Sequence, residues 1–518
     1  MTQEDINKKI KALLEELNNG LYEKERSIRL TLLAVLAGES TFMLGEPGTA
    51  KSLIARRISE AFGIEKKDFF SYLMNQFSQP DEVFGPVSIQ KLKNDEYERK
   101  TDCYLPKAKF AFLDEIWKAN PAIQNSLLTI LNEREFRNNG KNEKVDLIGF
   151  ISASNELPAK EQGLEAIFDR FLVRILEKPV SKNSDSFRKM ISDAKELPPI
   201  TDKISLDDIN FISQHSKDVK LTDECYDIIL RIAKNTSERN ENTENKEEEW
   251  LISDRRWKKI VNLMRVSAFC NGRTETDIMD ATVIANCIWQ NEQQEEDAQY
   301  IVKEAIENYG LKCNTNFEDL EARLNKFIEK VEKKFFKEEI NGGDFVTTTI
   351  DDKDFYVVID SNGSKNQIAI EPYRRDSYYG TEFYLNGTRN TIYGYYKNGM
   401  FIENNRYGNR RFTIARTKQT KTLVFDDFYN EKPEEGKIIV QKFNETDYLP
   451  LRKRLDEELS AIDKQINECE NKYGDNLFAN TSYYLSVINT KLTDSKVKIK
   501  DLIAQLENQK ERYDIKKS

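Results

Sequence analysis

The stretch Gly45-Glu46-Pro47-Gly48-Thr49-Ala50-Lys51-Ser52 constrains this chain more than any other. It follows a short apolar run, Thr41-Phe42-Met43-Leu44, and precedes a helical pattern that opens at Leu53 and continues through Ile54, Ala55 and Ile58. A strand, a glycine-rich turn, then Lys-Ser opening a helix is the layout of a phosphate-binding loop. Backbone N–H groups of the turn and the unpaired N–H groups at the helix start form an anion cradle. Lys51 then reaches the β- and γ-phosphates, and the Ser52 hydroxyl ligates Mg²⁺. The general pattern has glycine just before the lysine, and here that residue is Ala50. An alanine is expected there only with a negative φ.

Further along, Lys109-Phe110-Ala111-Phe112-Leu113 reads as a buried strand ended by Asp114-Glu115. That places Asp114 at the C-terminal edge of a sheet, where α/β folds bind ligands. Asp114 is a candidate for the Mg²⁺ shell, and Glu115 for the general base that polarises an attacking water. The run Ile148 to Ser154 reads as another strand, and Asn155 after it is a candidate to bond the γ-phosphate or the lytic water. A helix over 165–171 carries Arg170 near its end.

Around these motifs, helices are expected at 4–18 and 23–36, a strand at 68–74, and a short helix over 81–85 ended by Gly85. The Gly20-Leu21-Tyr22 turn precedes the loop strand, so Tyr22 is a candidate to border the base, with plain packing as the alternative. Two hairpins are expected, Val87–Lys91 with Glu96–Lys100, and Glu135–Arg137 with Lys144–Asp146. The alternation of strands and helices to about residue 180 predicts an α/β domain with a parallel sheet. From about 200 to 310 the pattern is helical. There Ser253 caps a helix whose first turn holds Arg255; a cation is unfavourable at a helix N-terminus, so an anionic partner would relieve a cost, a solvated arginine being the alternative.

A helix over 317–336 follows, then an all-β stretch from Phe345 to about Phe443 cut by Asn-Gly turns at 362–363, 386–387 and 398–399. Strands are expected at 355–359, 368–370, 383–385, 392–396, 412–415 and 422–425, with their aromatics as core. Two more amphipathic helices follow Leu451, separated by a break at Gly474-Asp475-Asn476. The economical arrangement is a discontinuous three-helix stalk with the β domain inserted.

Composition excludes other classes. The chain has 518 residues, 39% hydrophobic and 32% charged, and its longest apolar run, Leu30 to Leu36, is too short to span a bilayer, so no transmembrane segment is expected. The net charge of −10 disfavours non-specific nucleic-acid binding. Six scattered cysteines without a CxxC pair point to free thiols in a reducing cytoplasm, and a single histidine, His215, leaves Ser-His or Cys-His catalysis unsupported.

The phosphate loop with its alanine, Phe112-Leu113-Asp114-Glu115-Ile116, Ser152-Ala153-Ser154-Asn155-Glu156-Leu157-Pro158 and Phe168-Asp169-Arg170-Phe171 resemble the MoxR group of AAA+ ATPases. Runs at 186–190, 253–259 and 132–140 resemble its RavA subfamily. The resemblance covers nearly all of residues 1–310; beyond that it is architectural. It implies an AAA+ α/β nucleotide-binding domain over 1–195, a helical lid over 196–310, a triple-helical domain from 311–340 and 446–518, and a small β domain over 341–445. It implies binding of ATP or ADP with Mg²⁺ by residues Gly45 to Leu53 and Asp114, with Ser52 and Asp114 on the metal. Asn155 matches the first sensor and Arg255 the second; Arg170 matches the arginine finger acting on a neighbour's nucleotide, with Arg174 a second candidate. The two hairpins match insertions that face the pore of ring-forming relatives. An arginine supplied in trans is worth on the order of 10³–10⁵ in rate, so activity is expected to need a ring, a homo-hexamer. The resemblance further implies protein remodelling with a von Willebrand factor A-domain partner, and a client docking on the β domain. RavA relatives bind a lysine decarboxylase through that domain, but the β sequence here gives no match that would carry this over. The alternatives are a nucleic-acid motor of the same class, or a scaffold that uses nucleotide only to assemble.

Overall fold

The computed structural model describes residues 2–158, 164–192, 197–245, 248–309, 315–341, 346–350, 353–359, 365–369, 379–385, 388–397, 400–405, 408–414, 420–425 and 444–514. The chain falls into two compact units, residues 1–314 with 460–497, and residues 315–459 with 498–518.

The first unit is built on strands β1 (Ser40–Gly45), β2 (Phe69–Leu73), β3 (Phe110–Asp114), β4 (Glu135–Asn138), β5 (Lys141–Lys144), β6 (Gly149–Ser154) and β7 (Phe171–Glu177). Five of them form a parallel sheet in the order β2-β3-β6-β1-β7. Every residue of β1 and β6 is buried, as expected of strands covered on both faces. Phe42, Trp117, Phe168 and Phe171 pack ring on ring, 5.1–6.2 Å between centroids, beneath β1. A side chain at Gly149 would run into the Phe110 ring of the adjacent strand, which is why β6 opens on glycine.

The helices of this region are α1 (Gln3–Asn18), α2 (Glu25–Leu36), α3 (Lys51–Ala61), α4 (Pro80–Phe84), α5 (Ile89–Leu92), α6 (Pro121–Glu133), α7 (Glu165–Phe168) and α8 (Asp185–Ser192). The hairpin expected at 135–146 forms as β4 and β5. The one expected at 87–100 does not. A single bridge joins Val87 to Arg99, and Ile89 to Leu92 make one helical turn. Ile89 and Leu92 are spaced by three, as on a helix, and Lys91 pairs with Glu96 and Glu98 across the turn.

Helices α9 (Leu206–His215), α10 (Asp223–Asn242), α11 (Asp254–Cys270), α12 (Ala285–Ile288) and α13 (Glu292–Tyr309) make the helical region. α11 starts on the Ser253 cap, whose hydroxyl accepts the Arg256 N–H at 3.2 Å. Between α15 (Leu449–Tyr473) and α16 (Thr481–Asp514), a buried segment, Leu477 to Ala479, docks on this unit. Leu477 N–H donates to Asn271 at 2.8 Å, and Arg29 donates to the Ala479 carbonyl at 3.0 Å.

The second unit opens with α14 (Phe317–Phe335), whose buried stripe is Leu320, Leu324, Phe327 and Val331. Within that unit Lys330 pairs with Asp447 and Arg454 with Asp319, both at 3.1 Å, and Arg452 meets Glu507 at 3.1 Å. Three helical stretches are thereby tied side by side. The strands are β8 (Phe336–Asn341), β9 (Thr347–Ile350), β10 (Lys353–Ile359), β11 (Lys365–Ala369), β12 (Tyr379–Leu385), β13 (Thr388–Lys397), β14 (Met400–Asn405), β15 (Gly408–Ile414) and β16 (Thr420–Phe425). They form a seven-stranded antiparallel sheet, β11-β12-β13-β14-β15-β10-β9, and a separate pair, β16-β8. The six expected strands are all present. β8, β9 and β14 are additional: β8 continues a helical period without punctuation, and β14 ends in Glu403-Asn404-Asn405, which carries no strand signal. The three expected Asn-Gly turns lie outside the described residues.

Candidate functional site

The phosphate loop joins β1 to α3. Gly48 has φ +83° and Ala50 has φ +70°, so the negative φ expected of Ala50 is overturned. Ala50 is the N-cap of α3, and its carbonyl accepts the Ile54 N–H at 2.9 Å. Starting a helix directly from so tight a turn requires a left-handed residue there, and the alanine bears a cost of roughly 1–2 kcal/mol. Gly45 lies flat against the Glu177 backbone, where a Cβ would collide.

Lys51 is 8% exposed, and its Nζ donates to the carbonyls of Gly45 at 2.5 Å and Glu46 at 2.9 Å. Burial lowers its pKa, against the opposing pull of Asp114, Glu115 and Glu177. Glu46, Pro47 and Gly48 are exposed on the outside of the loop, and Thr49 Oγ1 closes it on the Glu46 carbonyl at 2.8 Å. Ser52 is exposed in the first turn of α3, and Leu53 is half-buried beside it.

Parallel register brings the second motif to the same edge. Asp114 ends β3 beside Ala153, and Leu44 of β1 lies beside Ser154. Asp114 is half-buried, and burial raises its pKa despite the Glu115 N–H at 3.1 Å and Lys51 nearby. Glu115 has φ +53°; its Oε2 is 3.2 Å from Lys118 Nζ and accepts from Ser154 Oγ at 3.3 Å. Asn155 is exposed immediately beyond β6.

A cavity of about 600 Å³ opens beside the loop. Gly48, Thr49, Ala50 and Leu53 form one wall, Asn19 to Tyr22 with Lys24 a second, and Pro179, Val180, Phe187 and Met190 a third. Tyr22 therefore borders the loop's cavity. At its root lies a buried pair absent from the sequence-level candidates, Lys24 with Glu177 at 3.0 Å, Lys24 also donating to the Lys178 carbonyl at 2.6 Å.

The arginines lie elsewhere. Arg170 immediately precedes β7, whose first residue, Phe171, pairs with Ser40 at the start of β1. The loop follows the other end of β1, so Arg170 and the loop sit at opposite edges of the sheet. Arg170 pairs with Asp169 at 3.0 Å. Arg256 in α11 is buried and donates to Asp169 Oδ1 at 3.2 Å and to the carbonyls of Phe171 and Leu172 at 2.8 and 2.9 Å. That fixes the start of α11, and Arg255 with it, at the edge away from the loop. Arg255 is exposed, and its partner is the neutral Asn132 at 3.3 Å, not an anion.

Arg174 does not serve as a second surface arginine. It is buried, donates to the carbonyls of Phe168 at 3.1 Å, Phe171 at 3.3 Å and Trp289, and stacks 3.8 Å from the Phe168 ring. Burial holds its pKa well below the usual guanidinium value, with Arg256 close by. Sequence reading also passed over Ser154 and Asp169; neither has a local signal, since each meets its partners only once the strands and α11 are assembled.

Residues 8–206 match the family model of the MoxR domain in MoxR-vWA-beta-propeller ternary systems, and residues 224–302 match an AAA lid domain. Two uncharacterized proteins of Methanocaldococcus jannaschii, MJ0079 and MJ0812, are each 37% identical over 288 and 287 residues, spanning 55% of this chain and 72% of each relative. The structural protein ORF618 of Acidianus two-tailed virus is 30% identical over 233 residues, 42% of this chain and 38% of that protein. With a glycine-rich loop opening a helix on Lys-Ser, an Asp-Glu strand end and a match to an AAA lid in this order, the chain belongs to the MoxR family of AAA+ proteins.

Proposed function

We propose that this chain is a Mg²⁺-dependent ATPase of RavA type that works as a homo-hexameric ring, in the cytoplasm, to remodel a protein client together with a von Willebrand factor A-domain partner. The observation that carries the reading is the division of the site between two edges of one sheet. Lys51, Ser52, Asp114, Glu115 and Asn155 belong to one edge; Arg170 and Arg255 lie at the other.

The loop residues fit a nucleoside triphosphate. Lys51 spends its ammonium on two loop carbonyls that are weaker partners than phosphate oxygens, and it would turn to them. Asp114 is a carboxylate whose burial disfavours charge, so a cation beside it restores its charged form. Among the described residues no cluster of three or more His, Cys, Asp or Glu could hold a metal by itself. That suits Mg²⁺, which takes few protein ligands and completes its shell with phosphates and water. Ser52 and Asp114 would hold it, and when bound it supplies charge neutralisation on the transferred phosphoryl group. Glu115 would orient and deprotonate the water, its carboxylate held by Ser154 and Lys118. Asn155 would bond that water or the γ-phosphate. Arg170 and Arg255 would complete the site of the neighbouring subunit, the charge on Arg170 opposing that developing on its phosphate.

The matched family model names a vWA component, which supports that partner. The helices around 317–335, 449–459 and 498–514 would form the stalk, and the β strands they carry the docking surface for the client. The test is subunit mixing. Glu115→Gln should bind ATP without hydrolysing it, and Arg170→Ala should do the same for a different reason. A mixture of the two should recover phosphate release, because some interfaces then join an intact Glu115 to an intact Arg170. Full turnover by Arg170→Ala alone, or no recovery on mixing, would overturn the assignment in trans.

A further inference from the structure

The wall of the loop cavity formed by 179–190 is not held by a core of its own. α8 has no buried residue among its eight, yet Phe187 and Met190 line the cavity. Phe187 is half-buried and Met190 exposed, so the apolar side of α8 is only partly covered by protein. An apolar helix face gains only when something covers it, and a flat aromatic ring has the right size and chemistry for such a space.

What sets the position of this wall is a side chain of the segment 19–24. Glu23 lies in the N-terminal turn with φ +56°, a conformation that costs a non-glycine residue energy. From there its Oε2 accepts the Ser181 N–H at 2.8 Å and its Oε1 accepts the Ser184 hydroxyl at 2.6 Å. The Ser184 oxygen in turn accepts the Phe187 N–H at 3.2 Å, capping the first turn of α8. One carboxylate in that segment therefore fixes the hydroxyl that fixes Phe187. The Ser181 N–H, the Ser184 hydroxyl and the nearby Lys24 all favour the ionised form, so Glu23 titrates below its usual range and is fully charged near neutrality.

We propose that Glu23 is the latch of a base clasp: it holds Phe187 and Met190 against the nucleobase and so sets how long a nucleotide stays bound. This rests on the nucleotide reading above and deepens it. Glu23 touches neither phosphate nor reacting atom; it is a positioning residue. A ligand with a base should feel its loss, and one made of phosphates alone should not.

The experiment uses the full-length protein, with mant-ADP as the probe in stopped flow and inorganic tripolyphosphate as competitor. Glu23→Ala should raise the mant-ADP dissociation rate about tenfold, the scale for losing two solvent-exposed hydrogen bonds to one carboxylate. Tripolyphosphate affinity should stay within twofold. Glu23→Gln keeps one acceptor and should fall between Glu23→Ala and the native chain. Glu23 and Ser181 are exposed, so the substitution leaves the core untouched; Ser184→Ala provides a second route to the same loosening. A dissociation rate within twofold of native in Glu23→Ala overturns the latch alone. An equal loss of tripolyphosphate and mant-ADP affinity also overturns it, in favour of a general structural role. A native chain that binds tripolyphosphate but no mant-ADP overturns the nucleotide reading itself.

Discussion

Replacing Ala50, the N-cap of α3, by glycine should stabilise the chain. Ala50 has φ +70°, ψ +17°. An L-residue pays roughly 1–2 kcal/mol there for the approach of Cβ to backbone. Glycine removes that cost but loses about 0.5–1 kcal/mol more chain entropy on folding. The Cβ sits half-buried at the rim of the cavity, so little packing is forfeited. The difference leaves Ala50→Gly ahead by about 0.5–1 kcal/mol, which corresponds to a rise of about 1–4 °C in the melting temperature of a domain this large. The measurement is thermal unfolding of the nucleotide-free protein followed by circular dichroism. Gly48→Ala is the mirror test. At Gly48, φ is +83° and a Cβ would meet nothing within 4 Å, so backbone strain less the chain-entropy gain decides the effect, and it should melt lower by a similar margin. An Ala50→Gly protein that melts below the native one would refute the left-handed assignment and the argument drawn from it.

Asp169→Ala removes the acceptor shared by Arg170 and Arg256 and should lower kcat by roughly 10–100-fold through misplacement of the guanidinium, with a smaller change in KM; a change in KM alone would separate Asp169 from catalysis. Arg174→Ala should cost about 3 kcal/mol or more in denaturant unfolding, since the buried carbonyls of Phe168 and Trp289 lose their donor while that of Phe171 keeps Arg256; loss of hydrolysis at unchanged stability would point to a direct role in the reaction instead. Burial beside Asp280 pushes Asp277 up to about 6, so the fold favours its protonated form. Its contribution to stability is therefore complete at low pH and is lost as pH rises through about 6, and Asp277→Asn should unfold with less difference between pH 5 and pH 7.5 than the native chain. Ser154→Ala should slow hydrolysis several-fold while leaving ATP affinity in place, as expected of a group that only orients Glu115.

The residues that could be read from sequence are those whose chemistry is decided within a few positions of the chain. A glycine-rich turn that opens a helix presents backbone N–H groups by its local sequence alone, and an Asp ending a buried parallel strand lies at the C-terminal edge of its sheet. The Arg255-Arg256 doublet is of another kind. Consecutive helix residues point about 100° apart, so one turns inward and one outward, and only the assembled start of β7 decides which. Arg174, the second finger candidate that the resemblance implies, lies within a buried strand and donates to the carbonyls of Phe168 and Trp289. The hairpin expected at 87–100 failed for a local reason, the three-residue spacing of Ile89 and Leu92. Ala50 failed because its φ answers to the loop's closure and not to its own preference. The consequence reaches function through register. Ser40 beside Phe171 and Leu44 beside Ser154 put the length of β1 between Arg170 and the loop. No side chain spans that distance. If Arg170 acts on a phosphate, that phosphate belongs to another copy, so the proposal of action in trans rests on the pairing of two strands as much as on any motif.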